Sequence, residues 1–383
     1  MSARSRVLSK TPDGRVLDCD TPSVTASQDR LCGGRFLTML AAMESGLCRP
    51  GEPSWLEATT PHLAAVEALM NRLVAEHGGE SLAAMAQEHL GTGGKRLRAR
   101  LALAAFAALG GATAKAVGWA AACELLHNAT LVHDDLQDGD HVRRGRPTVW
   151  VRHGQAQAIN TGDLLFLTPF LAVGEVPTTP AARDLLVQVL ARRGAAIIRG
   201  QAAELAMTAA CDTRSETYLE TVLGKTSGLF ELPVEGAALL VGCSTTRAEE
   251  IAGGFRSLGV LFQIQDDVLD LYGDKGRDAV GADVREGKVS ALVVEHLRRF
   301  PADRDWLVGL LKKPRSETPS TDVDEAIRRF RDGGALEAVC QRLVAEAATL
   351  PNQPGLPPAL QDLMAELCER MLQPIQHVIG ASL

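Results

Sequence analysis

Apolar residues return every three or four positions along most of this chain, as in Leu63, Val66, Leu69, Met70 and Leu73. That is the helical period, and alternating β-branched runs are almost absent. The same stripe recurs over 81–90, 96–109, 115–138, 155–173, 181–210, 215–241, 247–271 and 288–299, and again over 322–347 and 359–378. Turn signals separate the stripes: Gly78-Gly79, Gly91 to Gly94, Gly110-Gly111, Gly174 to Pro177 and Cys243 to Thr246. Two polar breaks follow, at Lys312 to Ser320 and Pro351 to Pro358. The pattern predicts an all-α protein of many long helices. Residues 1–34 carry no periodicity, so 1–60 are expected as an N-terminal extension, partly flexible, ahead of one helical domain over 61–383.

Composition narrows the class without changing it. With 46% hydrophobic and 23% charged residues the chain is ordinary globular material. Forty Lys and Arg stand against 47 Asp and Glu, a formal charge of −7, which argues against a nucleic-acid partner. The longest apolar run, Leu101 to Ala114, is broken by Gly110-Gly111 and falls short of the ~20 residues that span a bilayer. The first 30 residues mix Arg, Lys, Asp and Pro and lack the apolar stretch of a secretory leader. Eight scattered cysteines without a C-x-x-C pair are expected as reduced thiols in a cytoplasmic protein.

Candidate chemistry begins with a motif that occurs twice, Asp134-Asp135-Leu136-Gln137-Asp138 and Asp266-Asp267-Val268-Leu269-Asp270. Each closes a strongly apolar helix. Residues four apart share a helix face, so Asp134 is expected beside Asp138 and Asp266 beside Asp270. Carboxylates crowded there repel one another and oppose the helix dipole, which a bound cation would reverse. One such cluster is equally well a solvated acidic helix end. Two of them favour acidic walls facing across a cavity, holding Mg²⁺ and a phosphorylated ligand on hard oxygen donors.

Such a site needs cations. Lys95 and Arg98 in Gly93-Gly94-Lys95-Arg96-Leu97-Arg98 lie at a predicted helix start that favours an anion, and Arg143-Arg144-Gly145-Arg146 follows the first cluster. Lys225-Thr226 and Lys288 interrupt apolar segments, where an unpaired ammonium is costly. His127 shares the stripe of Asp134 and fits either a core histidine or a ligand contact. Rival phosphate motifs fail: Leu219 occupies the first glycine position of a P-loop ending at Lys225-Thr226, and no G-x-G-x-x-G or G-x-S-x-G occurs.

Together these residues resemble the trans-isoprenyl diphosphate synthases, the farnesyl, geranylgeranyl and longer polyprenyl diphosphate synthases. The match runs from Gly93 to His296. Beside the paired D-D-x-x-D clusters it includes G-G-K-R-L-R at 93–98, L-L-H at 125–127, R-R-G-R-P-T at 143–148, G-Q at 200–201, K-T at 225–226, F-Q-I-Q-D-D at 262–267 and G-K at 287–288. The resemblance implies a bundle of long, mostly antiparallel helices around a deep central cavity, the isoprenoid synthase type, assembled as a homodimer. It implies an enzyme that condenses an allylic prenyl diphosphate with isopentenyl diphosphate. Three Mg²⁺ ions are implied, two on Asp134 and Asp138 with Asp135 in support, and one on Asp266 supported by Asp267 and Asp270. Arg143, Lys225, Thr226, Gln263 and Lys288 would contact the allylic diphosphate; Lys95, Arg98, His127 and Arg144 would hold isopentenyl diphosphate.

Some positions depart from the family pattern. Asp278 stands where the family often has a loop lysine, with Arg277 and Lys275 nearby, Ser290-Ala291 replaces Thr-Leu, and Ala99 replaces a proline. Chain length in this family depends on bulk beneath the first cluster. Ala129 and Thr130 are both small, which favours a C20 or longer product over C15, with Phe166 and Phe170 as alternative floors. A terpene cyclase of the same architecture and a non-catalytic partner subunit are the rival readings. The intact isopentenyl-side cations argue against the first and the complete aspartate clusters against the second.

Overall fold

A computed structural model describes residues 54–273 and 280–382. Most of the expected N-terminal extension, together with Lys275, Arg277 and Asp278, lies outside the described residues. The all-α expectation is borne out. Apart from two short helical segments, Val149–His153 and Ala282–Arg285, the first six helices are α1 (Thr60–His77), α2 (Gly79–Leu90), α3 (Leu97–Ala108), α4 (Val117–Gln137), α5 (Gln155–Gly174) and α6 (Pro180–Ala210). They are followed by α7 (Ser215–Val222), α8 (Gly228–Leu240), α9 (Thr245–Gly253), α10 (Arg256–Tyr272) and α11 (Ala291–Arg299). The chain then adds α12 (Arg304–Leu311), α13 (Ser320–Asp332), α14 (Ala335–Thr349), α15 (Pro358–Leu372) and α16 (Gln376–Ser382). Among the described residues no helix is long and apolar enough to cross a membrane.

The core is built on α4 and α8. Helix α4 packs along α5 and α3, while α8 packs against α3, α6 and α9. Trp119 of α4 is fully buried and its indole N–H donates to the Pro233 carbonyl of α8 at 3.0 Å. A Cβ on Gly236 would lie 2.1 Å from that indole, so glycine lets the two helices meet. Helix α8 is buried almost throughout, even at Glu231 and Glu235. Arg193 of α6 reaches both carboxylates, at 2.8 and 2.7 Å, and Arg256 of α10 reaches Glu231 at 3.1 Å. Such pairs add little net stability, but breaking one strands a buried charge, so they fix α6 and α10 on α8.

Four predicted stripes divide in the structure, that over 359–378 at the short 3₁₀ turn Gln373–Ile375. The stripe over 215–241 is interrupted by a π-turn, Leu223–Ser227, where Gly224 lies against Gly200 of α6. The stripe over 247–271 breaks at Gly253-Gly254, and that over 322–347 at Gly333-Gly334, where Gly334 has a φ of 73°. Helix α12 escaped the periodic reading because its eight residues make barely two turns. A hairpin pairing Val142–Arg143 with Arg146–Pro147 was also unexpected. Its two central residues, Arg144 and Gly145, have φ of 53° and 73°, as a type I′ turn demands.

Candidate active site

One cavity of about 930 Å³ runs between α3, α4, α6, α7, α10 and the loop before α11. The end of α4 forms one wall, where Asp134 and Asp138 line the space. Asp135 is rotated away and buried, receiving Arg143 Nε at 2.6 Å and Nη2 at 2.5 Å. The opposite wall is α10. The sequence expectation paired Asp266 with Asp270, yet the residues that line the cavity are Asp266 and Asp267. Asp270 is buried beneath the following loop: its carboxylate accepts the Asp283 amide at 3.1 Å and its carbonyl the Gly281 amide at 2.9 Å. Each triplet therefore turns two carboxylates to the cavity and buries the third in structure.

Asp267 is held from three directions, accepting from Tyr218 Oη at 2.8 Å, the Ala291 amide at 2.7 Å and Gln263 Nε2 at 3.0 Å. Thr226 donates to Gln263 Oε1 at 3.2 Å, joining the π-turn to the same network. Burial raises Asp267 to about 7, with those hydrogen bonds opposing. Burial likewise raises Asp134 to about 6; Asp138 and Glu204 add to it, while Lys225 and Lys288 oppose. In both, the loss of hydration outweighs the groups that favour the charged form.

Two lysines enter between the walls. Lys225 Nζ is 2.5 Å from Glu204 Oε2 and 3.6 Å from Asp134 Oδ2. It is brought there by the π-turn, and Gly200 makes room: a Cβ on Gly200 would sit 2.1 Å from the Lys225 backbone nitrogen. Lys288 Nζ is 2.7 Å from Asp138 Oδ2 and 2.9 Å from Glu286 Oε2. Against the cost of burial, Asp138, Asp283 and Glu286 hold this ammonium well above the lysine range.

The other end of the cavity is cationic. Gly93 and Gly94, with φ of 85° and 124°, turn the chain into α3. Arg144 lies over Gly94 and donates to the Gly93 carbonyl, and Lys95, Arg98, His127 and Arg144 all line the cavity. Arg98 is the unusual member. Its guanidinium is buried between the rings of Phe230 and Phe262, 4.7 and 5.1 Å from their centroids. It forms no ion pair among the described residues, and its Nε has no hydrogen-bond partner. The adjacent buried acid, Glu124, accepts the Ala99 amide at 3.1 Å instead. Burial draws Arg98 down to about 10, Glu124 opposing. Burial, with Arg98 and Arg144 beside it, holds His127 well below its usual value, hence neutral.

The chain-length candidates separate. Thr130 lines the cavity and donates to the His127 carbonyl at 2.7 Å, whereas Ala129 is fully buried and is not part of the lining. One residue along a helix is about 100° of rotation, enough to exchange cavity for core. Phe166 lines the cavity; Phe170 does not and is 36% exposed. Sequence reasoning assigned no role to Glu204, Tyr218, Glu124, Asp283 or Glu286. Glu204 had a signal, an acid one helical turn after Gly200 on the same face; the others are distinguished only by their partners.

A family profile described as Polyprenyl synthetase matches residues 79–329. The chain is 36% identical over 256 residues to a short chain isoprenyl diphosphate synthase of Methanothermobacter thermautotrophicus, covering 66% of this chain and 77% of that one. It is 31% identical over 277 residues to a geranylgeranyl diphosphate synthase of Methanosarcina mazei, covering 72% and 83%. Among solved structures, a polyprenyl synthase of Caulobacter crescentus complexed with calcium and isoprenyl diphosphate superposes with a TM-score of 0.74 at 26% identity, covering 83% of this chain and 96% of that one.

Proposed function

Because this chain belongs to the polyprenyl synthetase family and is a prenyltransferase, we propose that it joins isopentenyl diphosphate head to tail to an allylic diphosphate. The product is a longer trans-polyprenyl diphosphate. The observation that carries this reading is Arg98, a buried cation on the cavity lining that forms no ion pair among the described residues. A buried unpaired guanidinium is costly, and an anion that enters the cavity offsets the cost. A cyclase that ionises one diphosphate has no use for this second, cationic cluster.

The acidic pole suits divalent ions. Asp134, Asp138 and Asp266 offer only hard oxygens, and loss of hydration raises the Asp134 carboxyl. Among the described residues no three such side chains cluster closely enough to hold an ion alone. That accords with Mg²⁺ shared with substrate phosphates and water. Asp134 and Asp138 would hold two ions and Asp266 a third, and when bound they supply charge that stabilises a departing diphosphate.

The residues of the chain do the rest. Lys225, Lys288, Thr226, Gln263 and Arg143 orient the allylic diphosphate, whose C–O bond breaks with the electron pair leaving on pyrophosphate. Lys95, Arg98, Arg144 and neutral His127 hold isopentenyl diphosphate so that its double bond attacks the allylic cation. A proton lost to the departing pyrophosphate completes the new bond. Apolar lining from Leu131, Phe166, Ile197 and Leu229 keeps water from the cation. With Thr130 small and on the lining, a C20 or longer product is favoured.

Assembly as a homodimer is supported by an exposed apolar face: Ile159, Leu167 and Leu171 on α5, and Val187 and Ile198 on α6. The unpaired thiols of Cys123, Cys211, Cys243, Cys340 and Cys368 suit a reducing, cytoplasmic setting. The test is purified protein with Mg²⁺, isopentenyl diphosphate and C5, C10 or C15 allylic diphosphates, products being sized by mass spectrometry. Prenyl products lengthened by five-carbon units, abolished by Asp134→Ala, are expected; a cyclised hydrocarbon or no product would overturn the proposal.

A further inference from the structure

Arg315 belongs to no motif, yet it bridges the two walls. It opens the short 3₁₀ turn Arg315–Glu317 in the polar segment between α12 and α13. Its Nη1 donates to the Gly139 carbonyl at 3.2 Å and pairs with Glu286 Oε1 at 3.1 Å, with Asp140 Oδ1 at 3.6 Å. Gly139 follows Asp138 directly, and Glu286 lies two residues before Lys288. One guanidinium nitrogen thus ties the exit of the first acidic wall to the loop that carries the lysine facing it.

The same segment holds that loop at two further points. Arg285 donates to the Thr318 carbonyl and, at 3.2 Å, to Ser320 Oγ. Gly287, at a φ of 74°, lies so close to α12 that a Cβ there would be 2.4 Å from the Leu311 carbonyl oxygen. Of these three contacts only Arg315 also reaches the first wall. Its charge matters as much as its reach. Lys288 faces three acids, with Asp138 at 2.7 Å, Glu286 at 2.9 Å and Asp283 at 3.8 Å. Glu286 divides its oxygens, one to Lys288 and one to Arg315. Without Arg315 this buried carboxylate would fall wholly to Lys288 and neutralise the charge that an anion in the cavity needs.

The geometry points to Arg315 as a positioning residue for prenyl transfer, one that sets Lys288 against Asp138 and keeps its ammonium available to the allylic diphosphate. The inference rests on the function proposed above. It is tested by steady-state kinetics of full-length R315Q, R315K and K313A, varying each diphosphate separately, beside thermal unfolding. Lys313 pairs with Asp322 on the surface at 2.5 Å and serves as the neighbouring control. R315Q should raise the KM for the allylic diphosphate on the order of tenfold, with that for isopentenyl diphosphate within about twofold of wild type. R315K should recover part of the loss by keeping the Glu286 pair, and K313A should match wild type. Unchanged KM values in R315Q, or both raised equally with a lower Tm, would overturn the role; if R315Q fails to fold, R315K carries the same comparison. A wild-type protein that elongates nothing would instead overturn the functional reading, and this inference with it.

Discussion

Replacing Arg98 by methionine should stabilise the fold while crippling the enzyme. Arg98 is buried, and its pKa falls well below the ordinary arginine range, to about 10, because burial disfavours the charge. A folded value below the unfolded one means that folding carries the full penalty at every pH below about 10, and the penalty fades as pH rises from there toward the unfolded value. Two and a half units at 1.36 kcal/mol each come to about 3 kcal/mol at neutral pH. Methionine keeps an unbranched stem and lays sulfur against Phe230 and Phe262, so that two desolvated cation–π contacts of about 2 kcal/mol each give way to sulfur–aromatic contacts of about 1 kcal/mol each. The net gain is on the order of 1 kcal/mol, a rise in Tm of roughly 1–2 °C in a chain of this length. Isopentenyl diphosphate would lose charge-assisted hydrogen bonds worth about 1.5–3 kcal/mol, a rise in KM of roughly 10- to 150-fold. Differential scanning calorimetry and kinetics with isopentenyl diphosphate varied supply both numbers. A Tm that falls by several degrees, or an unchanged KM, would refute the reasoning by making Arg98 an ordinary structural arginine.

Three further outcomes are expected. Since burial holds the Asp134 proton up to about pH 6, Mg²⁺ activation should weaken about tenfold per pH unit below that value and level off above it, measured as the activation constant from pH 5 to 8. Gly200→Ala drives a Cβ to 2.1 Å from the Lys225 backbone nitrogen and should cost about 1–3 kcal/mol of stability and roughly 100-fold in kcat by displacing the lysine, whereas Gly174→Ala, with nothing within 4 Å, should change neither. His89 is buried and neutral, drawn from 6.5 to about 3 by burial and by Arg143 and Arg144. Its contribution is complete above pH 6.5 and is lost as pH falls, at close to 1.4 kcal/mol per unit, a slope that His89→Asn should remove from denaturant unfolding curves.

The helices were legible in the sequence because burial on one face enforces the 3.6-residue period. The acidic walls of the candidate site were legible because paired carboxylates at helix ends have no use in a stable fold without a cation. The orientation of individual members was not. Asp135 turns away from the cavity into the fold because a hairpin eight residues later delivers Arg143 to it, and Asp270 because the segment Gly281–Asp283 folds over it. Neither partner is encoded in helical spacing. The π-turn that presents Lys225 depends on Gly224 meeting Gly200, which is 24 positions distant in the chain. Arg98 looked like any basic residue of a glycine-rich turn; what singles it out is that the acid beside it, Glu124, serves a backbone amide. Ala129 and Thr130 show the finest limit, since residue size was readable but which of the two meets the cavity depended on helix rotation.

The account separates an anion site made of protein cations from one that acidic walls can form only with divalent ions. Calorimetric titration of each diphosphate alone, in Mg²⁺ and again in excess chelator, tests that separation most directly. Isopentenyl diphosphate should bind in both conditions and the allylic diphosphate only with Mg²⁺; equal metal dependence for the two, or tight allylic binding in chelator, would contradict it.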